Sequence, residues 1–177
     1  MRRFLIGTLL AFYAIASLAD DSGHQTKHRP VRVLDANGHV IDDLRTFGGV
    51  SGAWVTAGNA TTVVPIGRVR DASGFDSATD FGWGATEDVE YTSSDCSGDP
   101  IVTPAGGPRP SVVVRQGNDV TVYIAAEGTA QPFASRSLNV PPFGCSQHPQ
   151  PVTVYGFPVI AKVVVSQGHP EPLRIGF

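Results

Sequence analysis

The side chains able to do chemistry in this chain are two cysteines, five histidines and scattered serines and carboxylates, and their spacing decides what each could do. Cys96 and Cys145 are a distant pair with no adjacent histidine pair. That spacing suits a disulfide and lacks the close-set ligands of a zinc site. Closing so long a loop removes denatured-state entropy worth about 4 kcal/mol. His24 and His28 stand four apart, at the spacing that shares a helix face, but nothing else around them is helical. As solvated tail residues they offer at most weak copper or nickel capture. His39, His148 and His169 are far from one another in sequence. We expect no metal and no other cofactor.

The serines and carboxylates read as turn formers. Ser97-Gly98-Asp99 has a nucleophile-like composition, yet Cys96 precedes the serine and Pro100 follows the aspartate, which is the wrong order for a serine-protease turn. Gly48-Gly49-Val50-Ser51-Gly52 misses the elbow of hydrolases, in which serine sits midway between two glycines. Asp35-Ala36-Asn37-Gly38 opens like a calcium loop, but the strand pattern resumes at His39 before further ligands could follow. Asp42-Asp43 and the set Asp71, Asp76 and Asp80 contain carboxylates without singling out a catalytic pair, whose separation would be a property of the fold. Asn59-Ala60-Thr61 matches a glycosylation pattern and reads as a turn. Trp54 and Trp83 could stack on sugars, but their apolar strand settings favour the core. No catalytic residue is assigned.

The elements that must carry these residues are strands. Asn37-Gly38 lies between Val31, Val33 and Val40, Ile41, and predicts a two-residue hairpin turn. Gly58-Asn59 separates Trp54–Thr56 from Thr61–Ile66, and Gly117-Asn118 separates Val112–Gln116 from Val120–Ile124. Further strands are expected at 79–83, 89–93, 101–103, 133–138, 152–156, 159–165 and 173–177. The run Val159–Val165 lacks clean alternation, which predicts a central strand covered on both faces apart from Lys162. Leu173, Ile175 and Phe177 alternate and predict a closing edge strand. Val-Thr-Val-Tyr occurs at 120–123 and again at 152–155, too short a match for a repeat. Glycine and proline are too frequent for helices, so the fold class is all-β: an antiparallel β-sandwich or a partly closed barrel.

The N-terminus reads as an export signal. Arg2 and Arg3 precede an apolar run from Phe4 to Ile15, and Ser17 and Ala19 are the small pair before a cut after Ala19. The run is shorter than the roughly 20 apolar residues of a membrane span. The expected organisation is therefore a cleaved signal peptide at 1–19, a polar lead-in at 20–30 and one β-rich domain at 31–177, with no membrane span in the mature chain. The net charge of −3 becomes more negative when Arg2 and Arg3 leave, which argues against nucleic acid as a partner.

The stretch Tyr91-Thr92-Ser93-Ser94-Asp95-Cys96-Ser97-Gly98 resembles a group of exported bacterial β-domain proteins in which a strand ends in Asp-Cys-Ser-Gly. The hairpins at Asp35–Gly38 and Trp54–Ile66 are similar to that group as well. The resemblance covers Val31–Thr103 and implies a fold type and no activity. These readings together predict a secreted or periplasmic, non-enzymatic β-domain. It would act through an envelope or extracellular protein or glycan, with the Gly/Pro-rich stretches 103–110 and 139–151 as contact loops. The alternatives are a small secreted hydrolase and, because of the C-terminal alternation ending in Phe177, a small outer-membrane barrel.

Overall fold

The computed structural model describes residues 29–103 and 107–177. The expected signal, most of the lead-in with His24 and His28, and part of the 103–110 stretch lie outside the described residues. The strands, in chain order, are β1 Arg32–Leu34, β2 Val40–Asp43, β3 Arg45–Phe47, β4 Val50–Ala57, β5 Ala60–Arg70, β6 Asp76–Trp83, β7 Val89–Tyr91, β8 Ser111–Gln116, β9 Asp119–Ala125, β10 Gln131–Val140, β11 Gly144–Gly156, β12 Val159–Val164 and β13 Arg174–Gly176. One short helix, α1 at Val165–Gly168, precedes the last strand.

Two corners are built by the same local device. The Asp35 carboxylate accepts the backbone N–H of Asn37 at 2.9 Å and of His39 at 3.0 Å. The Asp71 carboxylate accepts those of Ser73 at 2.8 Å and Phe75 at 3.0 Å. Gly38 and Gly74 then take left-handed conformations at φ +81° and +85°, which glycine adopts without a Cβ penalty. The first corner corrects the two-residue turn expected at Asn37-Gly38. Leu34 pairs with Val40, so the loop runs from Asp35 to His39, because the aspartate captures two amides that a tighter turn would have placed in the ladder. The second corner joins β5 to β6. The turns at Gly58-Asn59 and Gly117-Asn118 are two-residue connections, with Ala57 opposite Ala60 and Gln116 opposite Asp119.

The strands form antiparallel sheets in the orders β13-β1-β2, β11-β10-β7, β12-β9-β8 and β3-β4-β5-β6. Among the described residues they do not close into a barrel, and the arrangement is an all-β sandwich. Its centre is the β8–β9 pair. Val113, Val120, Val122 and Ile124 pack into one core with Val33, Val64, Trp83 and Leu173. Val112, Val114 and Ala125 pack into a second core with Val89, Tyr91 and Val102. Because side chains alternate across a strand, the β8–β9 pair thus feeds two cores and is covered on both faces. The sheets are also tied by the Thr62 hydroxyl, which donates to the Arg109 carbonyl at 2.8 Å and lies 2.8 Å from the buried Ser111 hydroxyl.

Two expectations are corrected. The run 159–165 is not central: β12 lies at an edge of its sheet, and Ile160 is 59% exposed. Its β-branched composition reflects a fit to the pleat, while Lys162, paired with Asp99 at 3.3 Å, faces water as an edge lysine does. Residues 101–103 form no strand and contribute a single bridge, Val102 to Phe157, beside that of Pro100 to Tyr91. The two Val-Thr-Val-Tyr segments occupy unlike places, one in the buried β9 and the other in the exposed β11, where Tyr155 is 65% exposed. The closing strand behaves as expected, since β13 ends the sheet β13-β1-β2.

Cys96 and Cys145 form the expected disulfide, joining the turn after β7 to the start of β11 with a Cα separation of 5.9 Å. Cys96 sits at φ +56°, the one non-glycine residue in the left-handed region among those described. It is held there by the bridge and by its N–H, which donates to the Ser137 hydroxyl at 3.0 Å. Ser137 in turn donates to the Ser93 carbonyl at 2.8 Å. The bond fits a non-cytoplasmic setting, and no helix of the described residues is long and apolar enough to cross a membrane.

Candidate functional site

The structure gives most of the sequence candidates structural work. The Ser97 hydroxyl donates to Asp95 at 2.6 Å, and that bond with the Ser97 amide holds the Asp95 carboxyl below its ordinary range. Asp99 pairs with Lys162. Ser51 lies 2.9 Å from the Thr46 hydroxyl across β3 and β4. Asp42 and Asp43 face Arg45, Asp76 bonds Arg70 at 2.9 Å, and Asp80 accepts the Ser77 hydroxyl at 3.4 Å. Trp83 is a core residue, 2% exposed, as expected. Trp54 is only partly buried and carries the Arg45 guanidinium 5.4 Å above its ring.

Two polar clusters were not evident from the sequence. In the first, the Ser135 hydroxyl donates to Glu90 Oε2 at 2.5 Å, and His148 Nε2 lies 3.0 Å from the same oxygen. A nucleophilic relay needs the imidazole between the hydroxyl and the carboxylate. Here serine and histidine are both bound to one carboxylate oxygen, so the histidine cannot take the serine proton. Nearby Tyr91 is pushed up to about 12 by burial and by Tyr123, which leaves it protonated at neutral pH. In the second cluster, Asp35 Oδ2 stands 3.5 Å from the Nδ1 atoms of both His39 and His169. Burial alone would raise the Asp35 carboxyl, but the amides of His39 and Asn37 and the two imidazoles outweigh it and lower it. Among the described residues no group of three or more His, Cys, Asp or Glu side chains is arranged to hold a metal.

The feature that combines concavity with convergent charge lies over β5 and β6. Gly67 and Gly82 are direct cross-strand partners, and together they leave a stretch of sheet without side chains. Glycine inside a strand weakens it and marks a place where something approaches the backbone closely. A Cβ added at Gly67 would meet nothing within 4 Å, whereas one at Gly82 would meet the Glu171 carboxylate at 2.9 Å. The hollow over this pair holds about 310 Å³ and is walled by Arg115 and Glu171. Arg68 and its cross-strand partner Phe81 project to the opposite face of the ladder, where they line a second hollow of about 600 Å³ with Arg174 and Ile175.

The inner end of this groove is rigid. Arg115 donates to both oxygens of Glu171, at 2.7 and 2.9 Å, and to the Trp83 carbonyl at 2.7 Å. Glu171 Oε1 also accepts the Trp83 N–H at 2.5 Å, and the Trp83 indole donates to the His169 carbonyl at 3.1 Å. A forked guanidinium–carboxylate pair of this kind fixes geometry as well as charge. Arg68, on the other face, is held differently. It donates to the carbonyls of Ser77 at 2.7 Å and Ala78 at 2.8 Å and lies 5.0 Å above the Phe81 ring. Sequence signals for the groove exist in retrospect: a lone arginine in the valine-rich β8, Glu171 between two prolines, and glycines inside two strands. None of them says that these residues meet.

The contact loops expected at 139–151 prove to be the end of the β10–β11 hairpin and a proline-containing bulge. Phe143 at the tip is 87% exposed, and the register slips where Pro149 and Pro151 interrupt pairing with β10. From Ser137 to Ala161 the chain contains no Asp, Glu, Lys or Arg. Compared with known proteins, the chain matches no family model, no curated protein and no solved structure.

Proposed function

We propose that this chain is an exported, non-enzymatic β-domain that works by contact with an envelope or extracellular partner, a protein or a glycan, and that the groove over β5 and β6 is where the contact is made. The proposal keeps the kinship with exported bacterial β-domain proteins suggested by Asp95-Cys96-Ser97-Gly98. The observation that carries it is the glycine-floored hollow walled by a pre-set Arg115–Glu171 pair. Binding sites are concave and use a few fixed polar groups for orientation, and this groove has both properties. The disulfide and the doubly covered β8–β9 pair supply a stiff base, so little ordering is needed on binding.

The test is capture from envelope extracts and glycan arrays, using the mature protein and two variants. Gly67→Leu fills the hollow from a position where the added side chain starts in open space, and it should lower retention about tenfold or more with the fold intact. Phe143→Asp removes the exposed tip of the hairpin and should leave retention unchanged. Loss confined to Phe143→Asp would move the contact surface to the hairpin and overturn the assignment to the groove. Retention of nothing by the unaltered protein would overturn the contact reading as a whole.

A further inference from the structure

We infer that the open edge of β11 is a pairing surface for a second copy of this chain, whose own β11 adds antiparallel to it and makes one sheet across a dimer. This surface is separate from the groove. The starting point is how the chain guards its sheet edges, since a charged side chain on an edge strand keeps other strands from adding to it. Each of the four sheets ends in two edge strands. Arg174 stands in β13, Asp42 and Asp43 in β2, Glu90 in β7 and Arg45 in β3. Asp76 and Asp80 stand in β6, Arg115 in β8 and Lys162 in β12. Among the described residues β11 is the longest strand, at 13 residues, and the one edge strand with no Asp, Glu, Lys or Arg. Its histidine, His148, is engaged with Glu90 Oε2 at 3.0 Å.

The usable part of this edge is Val152–Gly156. Pro149 and Pro151 have no N–H to give, which closes it on one side. Phe157 closes it on the other by exchanging both backbone hydrogen bonds with Val102. Between these limits the strand pairs with β10 alone, and no backbone hydrogen bond joins it to another described segment. In an antiparallel strand the N–H and C=O groups of alternate residues point to opposite sides, so the outer set is open to a new strand. Val152, 46% exposed, and Tyr155, 65% exposed, stand beside those groups.

The charge pattern selects a second copy as the occupant. The chain has a formal net charge of −3, so two copies repel at long range. They meet at least cost on a surface without charge, and the run from Ser137 to Ala161 holds no Asp, Glu, Lys or Arg. A basic or acidic partner would find no charged group there to recognise. A two-fold axis perpendicular to the sheet sets the strand against itself in antiparallel fashion. Opposite residues then belong to one face, so Val152 and Val154 meet their own kind on one side, and Thr153 and Tyr155 on the other. Apolar, aromatic and hydroxyl pairs of this sort support a sheet, and no like charges stand opposite each other.

The experiment is sedimentation equilibrium of the mature protein over a concentration series at low and high salt, with amide hydrogen exchange at both ends of the series. A monomer–dimer equilibrium should appear and tighten with salt, because salt screens the repulsion between two acidic molecules. Amides within Val152–Gly156 should exchange more slowly in the dimer. Thr153→Lys and Tyr155→Lys, both at exposed positions, bring like charges together across the two-fold axis. Each should weaken the dimer about fivefold or more, with an unchanged circular dichroism spectrum. Ile160→Lys on the β12 edge, Phe143→Asp at the hairpin tip and Gly67→Leu in the groove should leave it as it was. A protein that stays monomeric throughout, or a dimer with no added protection within Val152–Gly156, would overturn the proposal. So would a dimer that salt weakens, or one lost to Ile160→Lys, Phe143→Asp or Gly67→Leu and kept by both β11 variants.

Discussion

Removing the bridge between Cys96 and Cys145 should cost this domain a large part of its stability. The cysteines are 49 residues apart in sequence. In the chain-entropy account a loop of that length is worth about 4 kcal/mol, against a typical total of about 5–15 kcal/mol for a domain. The clean perturbation is Cys96→Ala with Cys145→Ala, which leaves no free thiol. With a urea slope of about 2 kcal/mol/M, the midpoint should fall by about 2 M. A second double variant, Cys96→Gly with Cys145→Ala, separates two contributions. Position 96 sits at φ +56°, and once the bridge is gone that conformation is a cost of about 1 kcal/mol to any residue with a Cβ. The glycine variant should therefore be about 1 kcal/mol more stable than the alanine variant. Equilibrium urea unfolding followed by near-ultraviolet circular dichroism measures both differences. A loss below about 1 kcal/mol for the alanine pair would refute the entropic argument, and a glycine variant no better than alanine would refute the conformational one.

Two further expectations concern buried polar groups. Asp35 has a lowered carboxyl pKa in the folded state, so its contribution to stability is present above the unfolded value of about 3.9 and is lost as pH falls through the folded value. Between about pH 6 and pH 2 the unaltered protein should therefore lose more stability than Asp35→Asn does, and parallel urea-midpoint curves would contradict this. Thr62→Val leaves the Ser111 hydroxyl and the Arg109 carbonyl without their shared partner. It should cost about 1–3 kcal/mol despite matching threonine in shape, and thermal unfolding of Thr62→Val beside Thr62→Ser would show whether the hydroxyl is the cause.

Much of the fold was legible because its determinants are local. Gly58-Asn59 and Gly117-Asn118 needed only their own backbone preferences to set two turns, and the two cysteines needed only their number and spacing to suggest a bridge. The Asp35 corner was half legible. Its turn composition was clear, but its loop length depended on which amides the carboxylate captures. The same device at Asp71–Phe75 is hidden in the sequence, where Asp71 looks like one of several scattered carboxylates and only the hydrogen bonds to Ser73 and Phe75 make it a corner. Period and composition also misplaced β12, because a β-branched run reads the same in a central strand as at an edge that carries one lysine.

By itself the sequence determined strands, turns, an all-β class and a disulfide, each a consequence of residues near one another or of simple counting. Only the tertiary structure decided that β8 and β9 divide two cores, that Ser135 and His148 share one oxygen of Glu90, and that Arg115, brought in by β8, closes on Glu171 beside the Gly67–Gly82 pair. The physical reason is range. Turn and strand preferences are set within a few residues, whereas a groove is made where segments such as β5, β6, β8 and the Pro170–Pro172 loop converge, and no local preference records which side chains they bring together.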